Sequence, residues 1–195
     1  MIHRAEAYCA RVPHTRWVFR ICFVCTGNRC RSPVAAGVLE KLVADLPVEV
    51  TSAGVLESGH ASPKETVRAA NELGIELEEH RSRTLADVDL SGYDLVIGFE
   101  FDHIAAAVVD HGARRESTFG IRELVELLDE IEAPDESDPV ERAGAAIKRA
   151  NELRGDALPR IRPVPDPYGL PLAEHRKMVA MVNELCERLA RGLFG

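Results

Sequence analysis

The fold is decided by one stretch of this chain, Trp17-Val18-Phe19-Arg20-Ile21-Cys22-Phe23-Val24-Cys25-Thr26-Gly27-Asn28-Arg29-Cys30-Arg31-Ser32-Pro33. An apolar run that ends at Cys25 predicts a strand, and Pro33 suits the first turn of a helix, where its missing N–H costs nothing. Gly27 and Asn28 tolerate positive φ angles, at which successive backbone N–H groups turn inward and bind an anion. The stretch therefore predicts a strand, an anion-binding loop and a helix N-terminus.

A loop of this kind favours a cysteine nucleophile, because the field that binds an anion also stabilises a thiolate. We expect Cys25 to be that nucleophile. Arg31 offers a planar fork that matches two oxygens of a phosphoryl group. Ser32 can place its hydroxyl toward the sulfur and stabilise it as a leaving group. The expected phosphate-binding residues are Thr26, Gly27, Asn28, Arg29, Cys30, Arg31 and Ser32.

A second signal lies far downstream, in Arg162-Pro163-Val164-Pro165-Asp166-Pro167-Tyr168-Gly169. Hydrolysis through a phosphoryl-enzyme needs an acid for the leaving oxygen and then a base for the attacking water. Asp166 is the candidate, because the prolines beside it restrict its backbone. An isolated Asp-Pro pair is an ordinary turn signal, so this assignment depends on Cys25.

The loop Cys-Thr-Gly-Asn-x-Cys-Arg-Ser-Pro and the late Asp-Pro-Tyr resemble the low-molecular-weight protein tyrosine phosphatase family, to which arsenate reductases of one type are related. The resemblance runs from about Val18 to the C-terminal helix. It includes Thr51-Ser52-Ala53-Gly54 and His80-Arg81-Ser82-Arg83. It implies a cysteine-dependent phosphatase.

Residue by residue, the resemblance places the nucleophile on Cys25, the phosphate-binding arginine on Arg31 and the general acid on Asp166. Cys30 matches a second loop cysteine that in relatives can form a protective disulfide with the nucleophile. The resemblance also implies a hydrogen-bonded network that braces the loop, formed by Asn28, Ser32, Ser52 and His80.

The chain departs from the family pattern at the mouth of the expected site. The family's aromatic wall falls near Ser58, and the second of two tandem tyrosines is Gly169, so a preference for phosphotyrosine is weakened. Arg29 either favours an acidic flanking sequence or another anionic substrate, or is a solvated surface side chain. The family's Met-Asp after the third strand is Phe99-Glu100 here. The expected substrate-pocket residues are Leu56 and Tyr168.

Short apolar runs alternate with helical patterns along the chain. Strands are expected at 17–24, 48–52, 93–99 and 117–119, and helices at 34–46, 63–73, 101–110, 122–131 and 172–193. The alternation predicts an α/β fold: an open parallel sheet flanked by helices on both faces, with the phosphate-binding loop between the first strand and the first helix. Ligands of such folds sit beyond the carboxyl ends of the strands, where Cys25 falls.

Length and composition fit one core. At 195 residues and 46% apolar, the chain is expected to form a single phosphatase-like domain over 1–195, with an N-terminal extension over 1–16. Residues 132–162 interrupt the alternation and are interpreted as an insertion before the acid loop, with helical character over 140–153. A solvated excursion is the favoured form of this segment, and a lid or partner surface is the alternative.

Charge and hydropathy exclude several classes of protein. The formal charge of −8 argues against a nucleic-acid partner, which requires a basic face. The chain has no run of eighteen apolar residues, and residues 1–8 lack the apolar block of a signal peptide. We therefore expect a cytoplasmic protein that does not bind membranes.

The cysteines and histidines suggest neither disulfides nor metal. Five cysteines without a secretory signal fit a reducing compartment. Cys22 is expected in the core, because strand positions three apart face opposite sides. Cys9 and Cys186 are interpreted as structural or incidental. The seven histidines show no ligand spacing, so no metal or other cofactor is expected.

Three functions remain open. The favoured one is a phosphomonoester hydrolase, a protein tyrosine phosphatase that acts on a phosphorylated protein or a small phosphate ester. The second is an arsenate reductase that uses an external small thiol, because this chain has no resolving cysteine pair between Cys30 and Cys186. The third is a phosphate-binding module without catalysis, disfavoured because nucleophile, arginine, serine and aspartate are all present. Phosphotyrosine, phosphoarginine and small esters remain alternative substrates, and the oligomeric state is not readable from the sequence.

Overall fold

Four parallel strands form the sheet at the centre of the computed structural model, which describes residues 18–156 and 161–195. The strands are β1 Phe19–Cys25, β2 Val48–Gly54, β3 Leu95–Gly98 and β4 Thr118–Gly120, in the order β2-β1-β3-β4. The register pairs Cys25 with Gly54, so both lie at the carboxyl edge of the sheet. The extension over 1–16, Cys9 within it and Trp17 at the start of the predicted first strand lie outside the described residues.

The helices connect these strands. They are α1 Arg31–Leu42, α2 Lys64–Asn71, α3 Phe101–Ala105, α4 Ile121–Glu130, α5 Pro139–Arg154 and α6 Leu172–Phe194. A π-helical turn, Ala106–Asp110, continues α3, and short 3-10 turns lie at Leu85–Asp87, Leu90–Gly92 and Arg115–Ser117. Helix α1 begins at Arg31, earlier than the predicted Val34, because the end of the loop already has helical geometry.

Both faces of the sheet are covered, which confirms the predicted fold class. The alternation of β1 sends Ile21 and Phe23 to the face packed by α1, α2, α4, α5 and α6. Cys22 and Val24 point to the opposite face, among residues of the 85–92 turns and the 106–110 segment. Cys22 is fully buried there, as predicted, and burial raises the pKa of its thiol to about 11.

The interpretation of 132–162 as a solvated excursion is wrong for α5. Asp138 caps this helix by accepting hydrogen bonds from the N–H groups of Val140 and Glu141, at 2.9 and 3.1 Å. Its inner face is buried against α4 and α6 and consists of Ala143, Ala146, Ile147 and Ala150. Alanines give a weak apolar pattern in the sequence, yet their small side chains let helices pack closely. The helix is therefore part of the core, and the status of the segment as an insertion stays a prediction.

Candidate active site

The loop between β1 and α1 folds around the Cys25 thiol. The backbone N–H of Asn28 donates to Cys25 Sγ at 3.2 Å, and Ser32 Oγ lies 3.0 Å from the same sulfur. Among the non-glycine residues that the structure describes, Asn28 alone has a positive φ, 49°. This conformation turns the Asn28 N–H toward the sulfur. The loop thus supplies hydrogen-bond donors that stabilise a thiolate.

The expectation of a positive φ at Gly27 is wrong. Gly27 is not in the left-handed region, and a Cβ at this residue would make only ordinary contact, 3.7 Å from the Arg29 side chain. The glycine that the loop needs is Gly54, at the end of β2. A Cβ on Gly54 would lie 2.7 Å from the Asn28 nitrogen. The close approach of β2 to the back of the loop therefore requires glycine at position 54.

Asn28 is the centre of a network behind the loop. Its Nδ2 donates to Ser32 Oγ at 2.9 Å and to Ser52 Oγ at 2.8 Å, and its Oδ1 accepts from the Arg83 N–H at 2.8 Å. His80 Nε2 donates to the Asn28 carbonyl at 2.7 Å, and burial lowers the pKa of His80. Because Ser32 Oγ accepts from Asn28, its own proton can be donated, either to the Cys25 sulfur at 3.0 Å or to the Ala53 carbonyl at 3.4 Å. The structure brings together the four side chains that the resemblance names.

Arg31 lies beneath the loop, only 1% exposed, with its guanidinium fixed on several sides. Its Nη1 pairs with Glu100 and donates to the Val164 carbonyl at 3.2 Å. Its Nη2 donates to Thr26 Oγ1 at 3.1 Å and to Asp166 Oδ2 at 2.6 Å. Its Nε is buried without a hydrogen-bond partner in the described structure. A buried N–H group without a partner favours binding of a hydrogen-bond acceptor, and an oxyanion in the loop would supply one.

The acid loop meets the phosphate loop through Tyr168 and Arg29. The Tyr168 N–H donates to Asp166 Oδ1 at 3.1 Å, which orients the carboxylate. Arg29 Nη1 donates to the Tyr168 hydroxyl at 2.9 Å, and its guanidinium lies 4.9 Å from the centre of that ring. Arg29 Nε donates to the Ala61 carbonyl at 2.8 Å. Arg29 is therefore a bridge between loops and not the solvated side chain of the second alternative.

One cavity of about 440 Å³ opens in front of these groups. Its lining residues are Cys25, Thr26, Gly27, Arg29, Cys30, Arg31, Leu56, Glu57, His60, Asp166 and Tyr168. The predicted pocket residues Leu56 and Tyr168 lie at its mouth, 58% and 57% exposed. Asn28, Ser32, Ser52 and His80 stand behind the loop and do not line the cavity.

Glu100 and His103 also belong to this site, although neither was predicted as a site residue from the sequence. His103, in α3, is buried, and its Nδ1 accepts from the N–H groups of Phe99 and Glu100 at 3.3 and 3.1 Å. Its Nε2 lies 3.0 Å from Thr26 Oγ1. Burial, with the nearby Arg31 charge, lowers the pKa of His103 to about 4. Both residues come directly after β3, at the edge of the sheet that carries Cys25, and Glu100 is also the residue at which the chain departs from the family's Met-Asp.

Cys30 is a buried thiol at the end of the loop. Burial raises its pKa to about 12, and Thr66 Oγ1 lies 3.3 Å from its sulfur. Thr66 also lies 2.8 Å from His175 Nδ1 in α6. Cys25 and Cys30 are both free thiols in this structure. A protective disulfide between them stays a prediction.

Within residues 18–156 and 161–195, no three His, Cys, Asp or Glu side chains are grouped to hold a metal ion. None of the helices described there combines the length and apolar character needed to span a membrane.

Comparison with known proteins gives consistent matches. The family model described as low molecular weight phosphotyrosine protein phosphatase matches residues 20–142. The low molecular weight protein-tyrosine-phosphatase Etp of Escherichia coli K12 is 34% identical over 148 residues, covering 72% of this chain and 95% of that protein. A protein-arginine-phosphatase of Geobacillus stearothermophilus is 35% identical over 130 residues, 66% of this chain and 86% of the relative.

Solved structures match over most of the chain. A low molecular weight protein tyrosine phosphatase from T. tengcongensis superposes with a TM-score of 0.66 at 29% identity, covering 89% of this chain and 98% of that one. The YwlE arginine phosphatase from Geobacillus stearothermophilus gives a TM-score of 0.64 at 28% identity, covering 89% and 91%.

Proposed function

The chain belongs to the low molecular weight phosphotyrosine protein phosphatase family and is a hydrolase of that class, and from this premise we propose that it dephosphorylates proteins through a cysteinyl-phosphate intermediate on Cys25. One observation supports this mechanism most: the Cys25 sulfur, the Arg31 guanidinium and the Asp166 carboxyl group face one cavity. These three groups are the nucleophile, the phosphoryl-binding cation and the proton donor that the reaction requires.

In the first step the Cys25 thiolate attacks phosphorus, and the bond from phosphorus to the leaving atom breaks; this atom is oxygen in a phosphotyrosyl and nitrogen in a phosphoarginyl substrate. Protonated Asp166 gives its proton to that leaving atom. The Arg31 Nε–H and the backbone N–H groups of the loop hold the equatorial oxygens, in a site where buried dipoles act strongly. An incoming phosphoryl group competes with Asp166 for Arg31, which frees the carboxyl group for proton transfer.

In the second step water attacks the phosphorus of the cysteinyl-phosphate and the bond from sulfur to phosphorus breaks. Asp166, now a carboxylate, takes a proton from the water. The leaving thiolate is stabilised by the Asn28 N–H and the Ser32 hydroxyl, which lie 3.2 and 3.0 Å from the sulfur. Inorganic phosphate then leaves, and the loop is ready for another turnover.

Phosphotyrosyl proteins are the first substrate class we propose, and phosphoarginyl proteins are the second. The second class is favoured by one feature of the mouth: the Arg29 guanidinium already lies against the Tyr168 ring. This contact competes with stacking of a substrate ring, and leaves Leu56 as an exposed apolar wall. A cytoplasmic location is part of the same proposal, supported by the free cysteines Cys22, Cys25, Cys30 and Cys186.

The test is hydrolysis of p-nitrophenyl phosphate by the reduced protein, beside Cys25→Ser and Asp166→Asn. We expect Cys25→Ser to abolish turnover and Asp166→Asn to lower kcat by about 10²- to 10⁴-fold, the usual contribution of a general acid. Asp45→Asn, an exposed residue in the turn that follows the far end of α1, is the matched control and keeps wild-type rates. Thiol-dependent reduction of arsenate without hydrolysis would instead support the reductase alternative.

Phosphopeptides then separate the two substrate classes. Phosphotyrosyl and phosphoarginyl peptides of the same sequence are compared by kcat/KM in the wild type and in Arg29→Ala. If Arg29 blocks ring stacking, Arg29→Ala improves the phosphotyrosyl peptide selectively. An equal change for both peptides would contradict this role of Arg29.

A further inference from the structure

His103 has a fixed tautomer. Its Nδ1 accepts from two backbone N–H groups, those of Phe99 and Glu100, at 3.3 and 3.1 Å. A nitrogen that accepts cannot carry a proton, so the single proton of the neutral ring is on Nε2. Burial and the Arg31 charge keep the ring neutral, since they lower the pKa of His103 to about 4. His103 Nε2–H therefore donates to Thr26 Oγ1, 3.0 Å away.

Thr26 Oγ1 receives a second hydrogen bond from Arg31 Nη2, at 3.1 Å. A hydroxyl oxygen has two lone pairs and one proton. With both lone pairs engaged by His103 and Arg31, the hydroxyl can act toward any third group only as a donor. None of the hydrogen bonds of the described residues gives that proton an acceptor. Thr26 lines the cavity in front of the phosphate loop.

We infer that the Thr26 hydroxyl donates to the phosphoryl group held in the loop and that His103 is the positioning residue that makes this hydroxyl a donor. The inference rests on the proposed function for the identity of the ligand. It goes beyond that function, because it assigns a side-chain donor and a residue of α3 to a site otherwise built from loop amides and Arg31. The Thr26 side chain is thus a further phosphoryl-binding group.

The same ring also fixes the surroundings of Arg31. By accepting from the Glu100 N–H, His103 holds the backbone of the residue whose carboxylate pairs with Arg31 Nη1. His103 therefore acts on both ends of the guanidinium, through Thr26 on Nη2 and through Glu100 on Nη1. A substitution at His103 that keeps an acceptor at Nδ1 leaves the Glu100 side intact and removes only the link to Thr26.

Binding of inorganic phosphate, measured by titration calorimetry, tests the donor without relying on turnover. Thr26→Val keeps the shape of the side chain and removes the hydroxyl, so we expect phosphate affinity to fall about tenfold or more, as for loss of a hydrogen bond to a charged group. Thr26→Ser restores the hydroxyl and most of the affinity. Thr118→Val is the matched control: it removes a buried threonine hydroxyl bonded to the Arg114 carbonyl, outside the cavity, and changes stability without changing phosphate affinity.

Two substitutions of His103 separate its contacts. The Oδ1 of His103→Asn replaces the Nδ1 acceptor but no donor reaches Thr26, whereas the Nε2 amide of His103→Gln replaces the donor. We expect His103→Asn to weaken phosphate binding more than His103→Gln does. We also expect His103→Asn to have little further effect in the Thr26→Val background, because non-additivity marks residues that act through one another.

The outcomes are distinct. Equal phosphate affinity of Thr26→Val and Thr26→Ser would overturn the role of the Thr26 hydroxyl as a donor to phosphate. Additive effects of His103→Asn and Thr26→Val on phosphate affinity would overturn the action of His103 through Thr26. The turnover assay with Cys25→Ser is independent of both. Absence of Cys25-dependent hydrolysis together with a Thr26-dependent phosphate affinity would refute the proposed function and leave the donor supported.

Discussion

The two sides of the cavity are held by different kinds of interaction. The phosphate loop is braced from behind by neutral hydrogen bonds of Asn28 and Ser32, both fully buried. The acid loop is held by charged contacts whose outer partners reach solvent, from the half-exposed Asp166 to the buried Arg31 and from the exposed Tyr168 to Arg29. Buried, satisfied networks fix geometry, whereas contacts with a solvent-exposed partner are screened by water and hold that partner less firmly. The comparison indicates a rigid phosphate cradle that faces an adjustable proton donor.

The largest effect should come from the arginine that joins the two sides. Arg31→Lys keeps the charge but loses the planar fork, so Glu100, Asp166 and the phosphoryl group lose their shared donor. We expect kcat/KM for p-nitrophenyl phosphate to fall about 10³-fold, the scale of losing a preorganised donor at a developing charge. Arg176→Lys, at an exposed pair with Glu72, is the control and keeps full activity. A loss below tenfold in Arg31→Lys would show that the fork is not needed.

The second-largest effect should come from Asn28, whose side-chain hydrogen bonds hold the phosphate loop from behind. Asn28→Gly keeps the positive φ and removes the side-chain bonds to Ser32 and Ser52, and Asn28→Ala adds backbone strain to the same loss. We expect Asn28→Gly to lower the free energy of unfolding by about 2–3 kcal/mol, since buried partners are left unsatisfied. Asn28→Ala should lose about 1 kcal/mol more. Urea unfolding measures both, and equal stability of the two variants would argue against strain at this position.

A smaller effect should appear in the pH dependence of stability. The pKa of His103 is about 4 in the folded protein, below the ordinary histidine value of 6.5, because the ring is buried. The unfolded state therefore binds a proton first as the pH falls. The stabilisation from neutral His103 is fully present above about pH 6.5 and is lost as the pH falls from there toward 4. Burial lowers the pKa of His80 as well.

Urea unfolding at pH 7 and pH 5 checks this expectation. The wild type should lose about 1–2 kcal/mol more than His103→Gln does between these two values, because Gln cannot take up the proton. His111→Gln is the control, as a half-buried histidine outside the cavity, and should follow the wild type. A His103→Gln variant with the same pH dependence as wild type would contradict a buried, neutral His103.

The smallest effect should come from Arg29, which contacts Tyr168 of the acid loop. Arg29→Ala removes both the hydrogen bond to the Tyr168 hydroxyl and the contact with its ring. Contacts of this kind near solvent are worth about 0.5–1 kcal/mol, so kcat for the phosphoarginyl peptide should fall about two- to fivefold. Phosphate affinity should change less than kcat, because the Arg29 side chain points to the acid loop. A drop in phosphate affinity that exceeds the drop in kcat would place Arg29 among the phosphoryl-binding side chains instead.

The parts of the site that could be predicted are those whose residues are close together in the sequence. Residues 25–33 carry the strand end, the loop and the helix start together, and the order of strands and helices along the chain gives the parallel sheet. The positive φ expected at Gly27 was a wrong prediction, because φ depends on the path of the loop and not on residue type alone. The steric requirement at Gly54 arises from the packing of β2 behind the loop, which no local pattern encodes.

The rest depends on contacts between distant segments. Glu100 and His103 reach Arg31 and Thr26 only because β3 lies beside β1, so that both strands end at one edge. The buried face of α5 was missed because alanines carry little apolar signal although they pack closely. Sequence patterns thus identified the groups that carry the chemistry, whereas the side chains that orient those groups required the tertiary structure.

The most direct test of the account is to trap the phosphoryl-enzyme. Asp166→Asn, mixed with p-nitrophenyl phosphate and quenched in acid within the first turnovers, is digested and its peptides are analysed by mass spectrometry. We expect a phosphoryl adduct on Cys25, no adduct on Cys22 or Cys30, and no adduct in the Cys25→Ser protein. Turnover without an adduct on Cys25, or with an adduct on another residue, would contradict the assignment of Cys25 as the nucleophile.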